Sequence, residues 1–145
     1  MTHTKRIKVR GYHCDSYGHV NNARYLEFLE EARWQFLEDG LDLAYWRDRG
    51  LGFVVASVTI NYRRPGLVGA VLEIHSQIKH LGGKSGVIHQ DVIDSGTGKV
   101  VADADVTFVV LNLETGKPHP IAGPIKEGFD LIEEGLRKKA ESPGE

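Results

Sequence analysis

The densest polar chemistry in the chain lies in one short run, Gly11-Tyr12-His13-Cys14-Asp15-Ser16-Tyr17-Gly18-His19-Val20-Asn21-Asn22. It sets a carboxylate, Asp15, in a loop a few residues ahead of two residues able to start a helix, Asn21 and Asn22. Helix N-termini present unpaired N–H groups and the positive end of the backbone dipole, so they stabilise developing negative charge. A carboxylate beside such an end can activate water or attack an acyl carbon itself. Acyl transfer needs this pair, a base or nucleophile and an oxyanion donor on adjacent elements. The same spacing also describes an aspartate that only caps the helix. The residues alone leave both readings open.

Other chemistries fit the run less well. His13, Cys14, Asp15 and His19 are ligand types, but their spacing matches no familiar zinc pattern, and no metal is expected. Cys14 beside His13 and His19 offers a thiol nucleophile. It directly precedes Asp15, however, and a buried inert thiol is the expectation. His19 is expected to order the loop through hydrogen bonds, Asn21 to cap the helix, and Tyr25 to pack in the core while its hydroxyl finds a partner.

The elements that must hold this loop can be read from periodicity. Lys5 to Arg10 alternates, with Ile7 and Val9 on one face, as a short half-buried strand does. A helix is predicted from Asn21 or Asn22 to about Asp39, with Gly40 as its C-terminal stop. Tyr25, Leu26, Leu29, Ala32, Phe36 and Leu37 share one broad apolar face, opposite Arg24, Glu27, Glu31, Gln35 and Glu38. That face is wide enough for a sheet to wrap it. Arg33 falls near its middle, where a lone charge is costly. An ion pair with an acidic neighbour such as Glu30 is the expectation; a role facing substrate is the other reading.

After a short helix or irregular connection over Leu41 to Gly52, four strand-like segments follow. Phe53 to Arg64 sets Val54, Ala56, Val58, Ile60 and Tyr62 against Ser57, Thr59, Asn61 and Arg63. Ala70 to Leu81 alternates through Leu72, Ile74 and Ile78. Gly82-Gly83 turns the chain into Lys84 to Asp94. Lys99 to Leu113 alternates through Val100, Ala102, Ala104, Val106, Phe108 and Val110, opposite Asp103, Asp105 and Thr107. A last helix is predicted from Ile125 to Lys139, with a frayed tail over residues 140–145. One strand, one long helix and four antiparallel strands is an α+β order.

A chain of 145 residues is the size of one domain and buries about two thirds of its unfolded surface, without help from disulfides or metal. A single domain over residues 1–145 is therefore expected. The net charge of −2 gives no global pull toward nucleic acid or anionic membrane, and neither is an expected partner. One cysteine, no apolar run of membrane-spanning length and no secretory h-region near the N-terminus lead to a cytoplasmic expectation.

The pattern Asp15-x-x-Gly18-His19-Val20-Asn21-Asn22-x-x-Tyr25, followed by Glu30-Glu31-Ala32-Arg33-Trp34, resembles the hotdog thioesterases of the 4-hydroxybenzoyl-CoA thioesterase type. Within that group it is most similar to the bacterial long-chain acyl-CoA thioesterases. The resemblance runs from Lys8 to about Leu113 and includes Ile60-Asn61-Tyr62-Arg63-Arg64-Pro65 and Gly83-Lys84-Ser85-Gly86. It implies a hotdog fold, one long helix wrapped by a curved antiparallel five-stranded sheet. It implies hydrolysis of acyl-CoA, long-chain fatty acyl favoured, without cofactor. Asp15 takes the catalytic aspartate position, as nucleophile or general base. The backbone N–H near Asn22 takes that of the carbonyl-polarising donor; some relatives carry His or Tyr at Asn22, which leaves the backbone role and not a side-chain one. The family works as a homodimer or homotetramer with sites at subunit junctions.

Under that resemblance Arg63, Arg64, Lys84 and Ser85 become candidates for the CoA phosphates, since Arg grips phosphate bidentately and Lys84 follows an open glycine turn. Solvated strand-end arginines and a hairpin lysine are the competing reading. Two rival functions stand beside hydrolysis: a hotdog dehydratase acting on hydroxyacyl thioesters, and a non-catalytic acyl-CoA binding module. A dehydratase commonly pairs a loop His with a helix carboxylate, whereas this loop supplies Asp15.

Overall fold

The computed structural model describes residues 2–141. In chain order it contains β1 (His3–Lys8), a single 3-10 turn (Gly11–His13), α1 (Asn22–Gly40), α2 (Leu43–Asp48), β2 (Leu51–Tyr62), β3 (Val71–Leu81), β4 (Ser85–Asp94), β5 (Val100–Asn112) and α3 (Pro124–Glu141). Ala140 and Glu141, expected to fray, belong to α3, and the rest of the expected frayed tail, residues 142–145, lies outside the described residues. The strands form one antiparallel sheet in the order β1-β3-β4-β5-β2, with β1 and β2 at its edges. This is the α+β order that the periodicity predicted, in the hotdog arrangement that the family resemblance implied.

Asn21 starts α1 as expected: its backbone is extended and its side-chain oxygen accepts the Ala23 N–H at 3.0 Å. The far end differs. Gly40 is the last helical residue, not a left-handed stop beyond the helix, and Leu41 follows with extended backbone. A side chain at residue 40 would strike Ile132 of α3. Gly40 is there for close approach between helices.

The buried side of α1 comprises Tyr25, Phe28, Leu29, Ala32, Arg33, Phe36 and Leu37. Phe28 takes the place expected of Leu26, which is exposed. Along α1 the core divides in two. One apolar cluster joins Tyr25, Phe28, Leu29 and Ala32 to Leu72, Ile74, Val92, Ala102 and Ala104. The second joins Phe36 and Leu37 to Trp46, Ile88, Phe108, Val110 and, on α3, Ile125, Phe129 and Ile132.

Between the clusters runs a buried polar seam. Gln90 of β4 donates to the Leu29 carbonyl at 3.1 Å and to Ser76 Oγ at 2.9 Å, and its side-chain oxygen accepts from Arg33 Nη1 at 3.2 Å. Ser76 and Gln90 face one another across the β3–β4 ladder. Arg33 therefore does not close the ion pair expected with Glu30, which acts on it only at longer range. Burial lowers the Arg33 pKa and Glu30 opposes that shift.

The faces of β2 also depart from simple alternation. A bulge at Ala56 breaks the register with β5 between Val55 and Ser57. Ahead of it Leu51 and Phe53 turn toward the core; beyond it Val58 and Ile60 do. Val54 and Ala56, expected to share the inner face with Val58, fall out of phase with it. One extra residue flips every side chain before it.

Candidate active site

The loop between β1 and α1 is held in place largely by its own backbone. The Asp15 N–H donates to the His19 carbonyl at 2.8 Å, and the Gly18 N–H to the Asp15 carbonyl at 3.1 Å. Gly18 adopts φ +77°, a conformation that glycine accepts without steric cost. Asp15 Oδ1 accepts the N–H groups of Tyr17 at 2.9 Å and His19 at 3.2 Å. These bonds fix the carboxylate by one oxygen. Its Oδ2 has no hydrogen-bond partner among the described residues and stays available to a reactant. Asp15 is thus a loop-anchored carboxylate and does not cap α1, because Asn21 does.

That capping leaves a donor. Asn21 Oδ1 takes the Ala23 N–H and the Asn21 carbonyl takes the Arg24 N–H at 2.8 Å, while the Asn22 N–H has no acceptor among the described residues. Asp15, His19, Val20, Asn22, Tyr25, Tyr62, Arg63, Arg64 and Pro65 line one open cleft of about 280 Å³. Among the described residues, Asp15 is the one carboxylate in that lining, and no carboxylate of α1 joins it there.

The remaining loop residues turn elsewhere. His13 accepts the Arg10 N–H on Nδ1 at 2.8 Å, and its ring meets Phe28 edge-on. Burial, reinforced by the charge of Arg24, lowers its pKa. The Cys14 thiol donates to the Arg10 carbonyl at 3.6 Å and packs, half-buried, against the core. His19 orders the loop through its backbone N–H, and its ring lines the cleft. The Tyr25 hydroxyl finds its partner in the Gly66 N–H at 3.1 Å, and burial raises its pKa.

The four phosphate candidates separate. Arg63 is engaged by Asp103, with Nε at 2.8 Å from Oδ2, and that hydrogen bond raises the Arg63 pKa. Arg64 spends one N–H on the Val100 carbonyl at 2.8 Å and is otherwise exposed at the cleft. Lys84 and Ser85 lie at the other end of the sheet. Ser85 faces Val109 on β5, whereas the Arg63 N–H bonds Val101, eight residues along that strand and roughly 27 Å away at 3.4 Å per residue. Within one chain, Lys84 and Ser85 do not share a site with Asp15.

Tyr62 was not among the residues singled out for chemistry. Its hydroxyl donates to the Asn22 carbonyl at 3.1 Å and its ring lies 5.5 Å from that of Tyr25. It ties the end of β2 to the first turn of α1. Its position on the helix-facing side of β2, at the strand end, was the legible signal.

A family model described as the thioesterase-like superfamily matches residues 9–129. The chain belongs to that superfamily. It is 49% identical over 127 residues to the long-chain acyl-CoA thioesterase FadM of Escherichia coli (strain K12), covering 88% of this chain and 96% of that protein. It is 34% identical over 134 residues to the acyl-CoA thioesterase YbgC of Helicobacter pylori (strain ATCC 700392 / 26695), covering 88% and 99%. Among solved structures, the probable thioesterase YbaW from Escherichia coli superposes with a TM-score of 0.83 at 46% identity, over 89% of this chain and 98% of that one. No helix among the described residues is long and apolar enough to cross a membrane.

Proposed function

We propose that this member of the thioesterase superfamily hydrolyses long-chain fatty acyl-CoA to the free acid and CoA, with Asp15 as its reactive carboxylate. One observation carries the reading: Asp15, anchored through Oδ1 alone, shares a cleft with the uncapped Asn22 N–H at the start of α1. A thioester carbonyl that accepts the Asn22 N–H is polarised, and the helix end stabilises the oxyanion that forms on attack. Asp15 then acts in one of two ways. As a nucleophile it attacks the carbonyl carbon, CoA leaves as thiolate, and water hydrolyses the resulting mixed anhydride. As a base it takes a proton from the attacking water, whose hydroxyl adds to the carbonyl; the tetrahedral intermediate then collapses, CoA leaves as thiolate, and the proton held by Asp15 passes to the departing sulfur. Neither route needs a group the chain lacks.

The same reading makes the protein at least a homodimer, with a homotetramer as its further assembly. β2 is paired only with β5, so a twelve-residue strand leaves its outer N–H and C=O groups unpaired, flanked by exposed Ser57, Thr59 and Asn61. Antiparallel pairing with a second copy about a two-fold axis satisfies them. It also sets the Lys84 end of one sheet beside the Asp15 end of the other, which brings the second phosphate candidate within range of CoA. Arg64 and Lys84 then hold the nucleotide from two chains. The half-buried free thiol of Cys14 suits the cytoplasm, where we place the protein.

A thiol-release assay over short, long and aromatic acyl-CoAs tests the activity, with Asp15→Asn beside the unmodified chain. Asp15→Asn should keep the circular dichroism of the folded protein and lower turnover by at least about a hundredfold. Near-normal turnover by the folded variant removes Asp15 from the mechanism. After a single turnover in oxygen-18 water, label in the Asp15 carboxylate establishes the anhydride route, since only attack of water on the Asp15 carbonyl of a mixed anhydride places it there.

A further inference from the structure

The long-chain reading leaves unexplained a charged side chain on the path the chain would follow. Arg33 stands eleven residues beyond Asn22. Eleven residues are close to three helical turns, so the two lie on one stripe of α1, about 16 Å apart along the axis. Leu26 and Leu29 lie near the same stripe between them; Leu29 is sealed in the core, and Leu26 is exposed. An acyl chain whose carbonyl is held at Asn22 and which extends over Leu26 along the helix has the reach to end at Arg33.

There it meets a cavity of about 60 Å³, lined by Glu30, Arg33, Trp34, Leu37, Phe53 and Val55. The volume is several times the roughly 10–15 Å³ that one water requires, so the last few atoms of a chain fit and a whole chain does not. Most of the wall is apolar, as a hydrocarbon end would want. Two members are not. Arg33 is 9% exposed, and of the five N–H donors of its guanidinium one is used, on Gln90. None of its nitrogens is both sealed from solvent and without a partner, so the unused donors keep some contact with solvent, on a side chain that lines this cavity. Glu30, which lines the same cavity, brings only acceptors while ionised.

Resting on the acyl-CoA thioesterase reading, we propose that this cavity is a specificity site for a hydroxyl group at the far end of the acyl chain. A hydroxyl accepts from a donor-only guanidinium and donates to an acceptor-only carboxylate, and both are present. A methyl end would press against the guanidinium and leave its N–H groups desolvated without return. A terminal carboxylate would gain Arg33 and meet repulsion from Glu30. Pockets that hydrogen-bond a substrate hydroxyl discriminate strongly against the analogue lacking it, because their own polar groups are then unpaired.

The test compares kcat/KM for three long-chain acyl-CoAs of equal length: unsubstituted, ω-hydroxylated and ω-carboxylated. The hydroxylated chain should exceed both others by at least about tenfold. Glu30→Met, at an exposed position, and Arg33→Met should each bring the ratio of hydroxylated to unsubstituted chain toward one. Arg33→Met breaks the buried seam and counts only if circular dichroism shows a folded protein; Glu30→Met decides the matter if it does not. An unsubstituted chain hydrolysed as well as the hydroxylated one overturns the site and leaves the thioesterase standing. A preference for the carboxylated chain overturns it in favour of a simple cation site. Failure to hydrolyse any of the three overturns the thioesterase reading and this inference with it.

Discussion

At the scale of single residues, the cleft is organised by small groups that fix backbone more than by the reactive side chain itself. Asp15 is oriented by two N–H donors within four residues of it, and Asn22 contributes a backbone atom. Tyr62 acts through another residue: by holding the Asn22 carbonyl it fixes the plane of the first turn of α1, and with it the aim of neighbouring N–H groups. Tyr62→Phe keeps the ring contact with Tyr25 and deletes one hydrogen bond, worth about 0.5–1.5 kcal/mol. We expect kcat to fall about two- to tenfold with KM little changed, because the oxyanion is felt in the transition state and hardly at all in the ground state. Steady-state kinetics check this, and a raised KM at unchanged kcat would assign Tyr62 to substrate binding. The loop carboxylate and the helix start were legible in the sequence because both belong to one contiguous run. Tyr62 was legible only as an inward-facing residue at a strand end, because its tie to α1 is a contact with a residue forty positions away. Arg63 read as a phosphate ligand for the same reason, since its partner Asp103 lies on another strand.

At the scale of elements, α1 is both the core of the fold and the floor of the site, and the Arg33–Gln90–Ser76 seam governs how it seats on β3 and β4. Gln90→Leu removes one carbonyl-type acceptor and two amide N–H donors at a fully buried position. Arg33 and the Ser76 hydroxyl then lose their buried partner together. The expected loss is about 2–4 kcal/mol, above that of an ordinary core substitution of similar volume. Urea unfolding measures it, and a change below about 0.5 kcal/mol would mean that water replaces the amide. Element order, type and approximate ends followed from the sequence, since each strand alternates and α1 carries a continuous apolar face. What did not follow was irregularity. Ala56 bulges with no glycine or proline to mark it, and Gly40 looked like a helix stop when it is a point of contact with Ile132. Both depend on a neighbour far along the chain, which periodicity does not encode. Leu26 and Phe28 exchanged places for a related reason: both sit near the boundary of the apolar face, and the sheet decides where that boundary falls.

At the scale of the whole molecule, the roughly 27 Å between the Asp15 and Lys84 ends of the sheet has a genetic consequence. If each site draws Asp15 from one chain and Lys84 from another, two differently damaged chains can repair each other. An Asp15→Asn homodimer has no reactive carboxylate in either site, and a Lys84→Ala homodimer has no lysine in either. In a mixed dimer the Asp15 of the second chain meets the Lys84 of the first, and one of the two sites carries both native groups. The other carries both lesions. Co-expression with two affinity tags isolates this species. At acyl-CoA concentrations too low to saturate Lys84→Ala, the mixed dimer should recover about half the activity of the unmodified dimer. Sites confined to single chains predict only the average of the two parents, so an activity at that average would return Lys84 to the solvent and each active site to one chain.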